Sequence, residues 1–372
     1  MPEIADIFRR YGDDYLHRFG ANILPSHRRA MRDLRACRTE AMGGQLYRCD
    51  RCGGEQYVYH SCRNRACPKC HGRDTEAWLA QRRKDLLPVP YFHVVFTVPE
   101  QLRQVIRRDQ KTLYPLLIRA AAKALIKLAA DPHYVGGLVG VMAILHTWGR
   151  TLAYHPHVHC LVPGGGLDDD GQWRSARTGK GVGKGKSFLV PVKALSKLFR
   201  GLFMDLVGKA LPDAAIPRAA LTQPWVVYCK RTFQGAEKVL TYLGRYVHRV
   251  AITNRRIVSI DGGNVTFRYK NVGQKVWRTM TLGASEFLRR FLQHVLPKGL
   301  HKIRYYGLWA PANRKRLQHL QAILAPHADA AADAPVEETG SPSRIEGSPC
   351  PFCSSGRLVL AGRILCQGRS PP

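Results

Sequence analysis

Two cysteine pairs, Cys49-x2-Cys52 and Cys67-x2-Cys70, constrain this chain more than any other feature. Each pair aims two thiolates at one point, and two such knuckles facing each other make a tetrahedral zinc site. The 14 residues between the pairs fall slightly short of the usual gap in such modules. Six of the chain's 11 cysteines lie between Cys37 and Cys70. The first residues, MPEIADIFRR, have no signal-peptide core, so clustered cysteine points to metal rather than to disulfides. Cys49, Cys52, Cys67 and Cys70 are therefore expected to hold one structural zinc, with no position left open for chemistry. Cys37, His60, Cys62 and His71 stand close by. A second ion on His27, Cys37 and Cys62 is a further reading of the same stretch, and free thiols in an ordinary core are the plain one. The tail pair Cys350-x2-Cys353 has only Cys366 after it and lacks a fourth ligand of its own.

Charge narrows the partner. Lys and Arg total 58 against 27 Asp and Glu, a net charge of +31. A folded chain this basic repels itself and calls for an anionic partner, nucleic acid first and an anionic membrane surface second. The cysteine-rich stretch is itself basic, with Arg63 and Arg65 between its two pairs, and makes a candidate DNA-docking face. No apolar run approaches the roughly 20 residues of a membrane span, so a spanning or secreted chain is not expected. Hydrophobic residues at 45% and charged residues at 23% exclude wholesale disorder.

Periodicity organises the 372 residues into three parts: a helical and zinc-binding domain over 1–88, a larger body over 89–325, and an acidic linker with a cysteine-containing tail over 326–372. Apolar residues at helical spacing predict helices over 3–20, from Pro25 to about Cys37, and from about Asp74 to Leu87. YFHVVFTVP (91–99) reads as a strand, 101–131 as helix, and 139–149 and 157–167 as an antiparallel strand pair across a short connection. Further helices are expected over 191–210, 235–249 and 284–295, with a strand at 225–231. Asp261-Gly262-Gly263 marks a hairpin turn.

His157 and His159 sit two apart on a predicted strand, so both imidazoles leave the same face. Two such rings can hold a divalent ion and leave positions open for substrate. Two structural histidines is the bland reading. His146, on the preceding strand, is the favoured third ligand, with His155 and His93 as rivals. Downstream, Tyr242 and Tyr246 are four apart on a predicted helix and share one stripe, flanked by Arg245, His248 and Arg249. A core aromatic stripe is the alternative, but flanking cations suit attack on phosphate. GKGVGKGKS (179–187) lacks the glycine that a nucleotide-binding loop needs at position 180, so no nucleoside triphosphate is expected. Trp148, Tyr154, Trp277 and Tyr305 are candidates for stacking on unpaired bases.

Three motifs, CRTEAMGGQLYRCDRCGGEQYVYHSCRNRACPKC, HPHVHCLV and YLGRYVHRVAITNRRI, occur in this order. In them the chain resembles the two-tyrosine rolling-circle transposases of bacterial insertion sequences, within the His-hydrophobic-His endonuclease superfamily. The resemblance covers roughly residues 1–325. It implies an α+β protein, with a ferredoxin-like antiparallel sheet in the nuclease domain behind a transposase zinc-binding domain. It implies His157 and His159 as ligands of a catalytic Mg2+ or Mn2+, and Tyr242 and Tyr246 as nucleophiles. His146 as third ligand is read from the strands alone. Arg245, Arg249, Arg63 and Arg65 are the expected DNA contacts. The implied partners are single-stranded or melted DNA at element ends and the host replication machinery, in the bacterial cytoplasm at the nucleoid. A plasmid replication initiator or relaxase would share the nicking chemistry. A non-catalytic zinc-dependent DNA-binding protein would bind and never cut.

Overall fold

The computed structural model describes residues 2–70, 72–176, 189–231, 238–239, 244, 250–271, 276–324, 345–353 and 355–366. The chain opens with helices α1 (Ile4–Phe19) and α2 (Pro25–Ala36), the second begun by a proline whose missing N–H is no loss at a first helical position. A hairpin of β1 (Gly44–Cys49) and β2 (Glu55–Tyr59) and helix α3 (Gly72–Arg83) complete the N-terminal region. Next come β3 (Tyr91–Thr97), α4 (Arg103–Arg108), α5 (Gln110–Ala129), β4 (Gly140–Trp148) and β5 (Tyr154–Pro163). The helix expected over 101–131 is thus two helices, broken at Asp109. A short ribbon of β6 (Gly165–Leu167) and β7 (Trp173–Ser175) precedes α6 (Val192–Ala210), α7 (Arg218–Thr222) and β8 (Val226–Arg231). Then follow β9 (Ile257–Asp261), β10 (Asn264–Lys270), β11 (Trp277–Gly283), α8 (Ala284–Leu292), β12 (Ile303–Gly307), α9 (Arg314–Leu324) and β13 (Leu358–Ile364).

The class is mixed α+β with antiparallel sheets, as expected. The central sheet has five strands in the order β12-β4-β5-β3-β8, all antiparallel neighbours. Side-chain alternation gives it two faces. Val94, Phe96, Ala143, Leu145, Val158 and Cys160 are buried in the main core with residues of α5 and α6. On the other face Tyr91, Met142, Ile144 and Leu161 share a smaller core with Val239, Trp309, Leu317 and Leu320. His146, His157 and His159 continue this second face toward the opposite strand ends.

The expected hairpin forms, as β9 and β10 turning at Gly262 and Gly263, both at positive φ where a side chain would be strained. It gains a third strand, β11, that the sequence reading missed. The N-terminal helices do not stand apart from this region. Ile4, Ile7, Phe8 and Met31 share one core with Ile257, Phe267, Phe287 and Phe291, and the Phe8 and Phe291 rings meet edge-on at 5.3 Å. The tail returns too: β13 pairs with β1 from Gly44↔Ile364 to Cys49↔Leu358.

Candidate active site and cysteine clusters

β4 and β5 pair in a register that sets His146 opposite His157 and Ile144 opposite His159. The tight connection at 149–153, with Leu152 at φ +61°, fixes that register. Ring centroids lie 4.8 Å apart for His157 and His159, 4.5 Å for His146 and His159, and 5.6 Å for His146 and His157. One ring nitrogen from each lies within 4.8 Å of the others. Of the three candidates for the third position, the structure therefore brings His146 to the pair.

Both rivals have other partners. His155 Nδ1 accepts from Arg103 Nη2 at 3.0 Å. His93 stands behind His159, its ring parallel at 5.1 Å and its Nε2 hydrogen-bonded to His159 Nδ1 at 2.8 Å. Burial pushes His93 down to about 4, so near neutral pH it is uncharged and can accept that bond. His157 Nδ1 donates to the His155 carbonyl at 2.6 Å. With both Nδ1 atoms engaged in this way, Nε2 is the nitrogen His157 and His159 offer to a ligand. The donor set fits a divalent transition ion: three imidazoles with remaining positions for oxygen.

A second layer steadies the strand ends. His294 donates its Nε2–H to the Leu152 carbonyl at 3.1 Å and accepts from Thr147 Oγ1 at 3.2 Å at Nδ1. Burial holds it down to about 3. Trp148 stacks on His146 at 4.5 Å. Of the aromatics proposed for base stacking, Trp148 is thus occupied by His146. Tyr154 is hydrogen-bonded to Tyr114 at 2.7 Å and pushed up to about 12 by burial. Tyr305 lies under the Arg82 guanidinium, while Trp277 is 58% exposed. Tyr242, Tyr246, Arg245, His248 and Arg249 lie outside the described residues, as does the 179–187 loop.

The cysteines group differently from the expectation. Cys49 and Cys52 do not meet Cys67 and Cys70. Cys67 and Cys70 join Cys37 and Cys62, while Cys49 and Cys52 join Cys350 and Cys353. The reason is topological: Cys37 ends α2 beside the 62–70 loop, and β13 brings the tail pair to the end of β1. In the first cluster Cys37–Cys70, Cys62–Cys70 and Cys37–Cys67 Sγ atoms are 3.5, 3.6 and 3.6 Å apart. A zinc tetrahedron with bonds of about 2.3 Å has an edge of about 3.8 Å, so the fit is close. His27 is not in this cluster. It is buried on α2, its Nε2 has no partner among the described residues, and burial pushes it down to about 4. Sequence reasoning grouped the knuckles by proximity along the chain, and the signal it left unused was the third Cys-x2-Cys.

Between the cysteine-rich module and the body runs a cleft of about 2510 Å³. Arg32, Arg38, Arg63, Arg65, Lys298 and Arg363 are among its lining cations, against Asp33 and Glu76. Arg65 donates to the Leu300 and Pro297 carbonyls, which fastens the 62–70 loop to the body. Trp148 lines the same cleft, so it reaches the ring that backs His146. Among the described residues no helix is long and apolar enough to cross a membrane.

The comparisons place this basic cysteine-clustered module and its antiparallel α+β body among transposases. Residues 7–98 match the family described as "Transposase zinc-binding domain" and residues 140–317 the family described as "Putative transposase". "Putative transposase y4qJ" of Sinorhizobium fredii is 41% identical over 96% of this chain and 94% of its own length. "Transposase for insertion sequence element IS801" of Pseudomonas savastanoi pv. phaseolicola is 30% identical over 77% of this chain and 71% of its own length. No solved structure matches. The chain belongs to this family of transposases with an N-terminal zinc-binding domain.

Proposed function

We propose that the protein nicks and rejoins single DNA strands at the ends of an insertion sequence, by rolling-circle transposition through a 5′-phosphotyrosine intermediate. The observation that carries this is the set His146, His157 and His159 on one sheet face of a transposase. A divalent ion held by these imidazoles would supply Lewis-acid polarisation of the scissile phosphate; of Mg2+ and Mn2+, Mn2+ is the transition ion that this donor set suits. Tyr242 or Tyr246 then attacks phosphorus through its phenol oxygen. The bond to the 3′ oxygen breaks, the phenol proton ends on that oxygen, and a 5′-phosphotyrosine ester and a free 3′-OH remain. The 3′-OH can prime host replication while the strand peels away. The second tyrosine permits joining to a target without outside energy, because the ester conserves the energy of the broken phosphodiester.

One packing fact supports the tyrosines. Val239 is buried with Ile144, whose strand neighbour is His159. On the helix expected over 235–249, positions 239, 242 and 246 share a stripe. DNA reaches the site along the basic cleft, where Arg63 is a phosphate contact. The structural clusters Cys37/Cys62/Cys67/Cys70 and Cys49/Cys52/Cys350/Cys353 take no part in the chemistry, since four thiolates leave no open position.

The test is an adduct assay with a labelled element-end oligonucleotide and metal. The parent forms a denaturation-resistant protein–DNA adduct, Tyr242→Phe and Tyr246→Phe singly show which hydroxyl attacks first, and the double variant forms none. An adduct surviving in the double variant would sink the assignment.

A further inference from the structure

The second cysteine cluster joins the two ends of the described chain. Cys49 closes β1, and Cys52 follows in a turn that Gly53 allows by its φ of +69°. Cys49 Sγ accepts the backbone N–H groups of Arg51 and Cys52, each at 3.4 Å. The tail repeats the motif, with the Phe352 N–H donating to Cys350 Sγ at 3.3 Å. Such N–H···S bonds stabilise sulfur in its thiolate form, the form that binds metal. The two knuckles face each other, with Cys49–Cys353 and Cys52–Cys350 Sγ separations of 3.7 Å each. That distance is far beyond the roughly 2.05 Å of a disulfide and close to the edge of a zinc–thiolate tetrahedron, about 3.8 Å.

The backbone is shaped for this closure. Asp50 and Arg357 exchange two bonds, Asp50 N–H to the Arg357 carbonyl at 3.0 Å and Arg357 N–H to Asp50 Oδ1 at 2.8 Å. Gly356 lies so near Cys49 Sγ and Asp50 Oδ1 that a Cβ there would collide with both. Yet the apolar support is slight. The buried residues here are Tyr47, Cys49, Cys350 and Leu358, while Val359, Leu360 and Leu365 stay exposed. So small a core does not hold a separate chain segment without a further link. A metal that closes so long a loop supplies one.

We propose that Cys49, Cys52, Cys350 and Cys353 form a second zinc site, half from the zinc-binding module and half from the C-terminal segment, which fastens β13 beside the basic cleft. The tail is then a working part of the module: Arg363 on β13 lines the cleft, so zinc here sets the position of a cation that faces the DNA. The site does not depend on the nuclease reading, because its readouts need no DNA.

The experiment counts zinc in the full-length protein by metal analysis and follows backbone amide exchange over 345–366. The parent is expected to carry one zinc ion per chain more than Cys350→Ser/Cys353→Ser, and as many as Cys366→Ser. Cys366 Sγ contacts the Ala41 carbonyl and lies outside both clusters, so it is the control. The zinc kept at Cys37, Cys62, Cys67 and Cys70 reports that the module of the double variant still folds. Exchange at the β13 amides should rise at least tenfold in that variant. Equal zinc in parent and double variant overturns the site, and unchanged β13 protection overturns the fastening. If the double variant does not fold, cobalt substitution of the parent decides: two tetrathiolate cobalt centres per chain support the site, one overturns it.

Discussion

The basic cleft makes a quantitative demand on DNA binding. Arg32, Arg63, Lys298 and Arg363 line it, and among the described residues their nearest carboxylate contact is Arg32 to Asp33 at 4.0 Å. If each of the four meets a phosphate of a single strand, at about 0.7 per contact, they contribute about −3 to the slope of log K against log salt. Between roughly 50 and 200 mM salt that share alone weakens binding by about 50-fold. Replacing all four by Gln keeps much of each aliphatic stem and removes the charge. Fluorescence anisotropy with a labelled single-stranded oligonucleotide should then show a slope shallower by about 3 than the parent's. Folding stability should shift little, because exposed cations without close partners contribute about 0–1 kcal/mol each. Parallel salt plots for parent and variant would refute the cleft as the strand's path, whatever the absolute affinities. A difference nearer 4 would indicate a duplex, whose phosphates release about 0.9 counterion each.

Two further outcomes follow from the geometry. Tyr228 is 52% exposed on β8, and its neighbour Val95 pairs with His159, which places its ring on the same sheet face as the imidazoles; if a base stacks there, Tyr228→Ala should weaken single-strand binding by about 1–3 kcal/mol in the same anisotropy assay, and an unchanged affinity refutes the platform. His27 and His294 are held down to about 4 and about 3 by burial, so the unfolded chain binds more protons than the folded one below about 6.5. Stability should be complete above that pH and fall as pH drops toward the folded values, by at most about 1.4 kcal/mol per pH unit for each group. Urea midpoints between pH 7 and 5 check this, and His294→Gln, which separates the effect from acid release of zinc, should flatten the slope; identical slopes in parent and variant refute it.

The histidine site was legible because its geometry is local. A strand gives His157 and His159 one face by its period of two, and a short connection leaves few registers for the strand before it. His146 falls opposite His157 as a consequence. The roles of His93 and His155 were not legible, since both sit on strands at plausible distances and only side-chain partners separate them. His93 gives its Nε2 to His159, whereas His155 accepts from Arg103. The cysteine groups failed for a different reason. A Cys-x2-Cys fixes that two thiols point together, but not which second pair they meet. That choice lies with β13, whose sequence LVLAGRI follows an acidic stretch and pairs with β1 some 300 residues upstream. The same long-range pairing turned an apparently unassigned tail into one edge of the zinc-binding module.

The placement of the imidazoles on strands rather than loops bears on how the site works. His157 and His159 are each anchored twice, by the sheet ladder and by a partner at the far nitrogen, the His155 carbonyl for His157 and His93 for His159. His146 is held by packing against Trp148, and the Thr147–His294–Leu152 chain of bonds pins the turn that follows. A ring held in this way loses little freedom when an ion and a phosphate arrive, so binding energy is not spent on ordering it. The opposite face of the same strands, packed with Leu145, Val158 and Cys160 in the main core, keeps the sheet rigid. Truncating a buried residue there, such as Val158→Ala, should therefore loosen metal binding through β5 while leaving every proposed ligand in place, a dependence that a site built on mobile loops would not show.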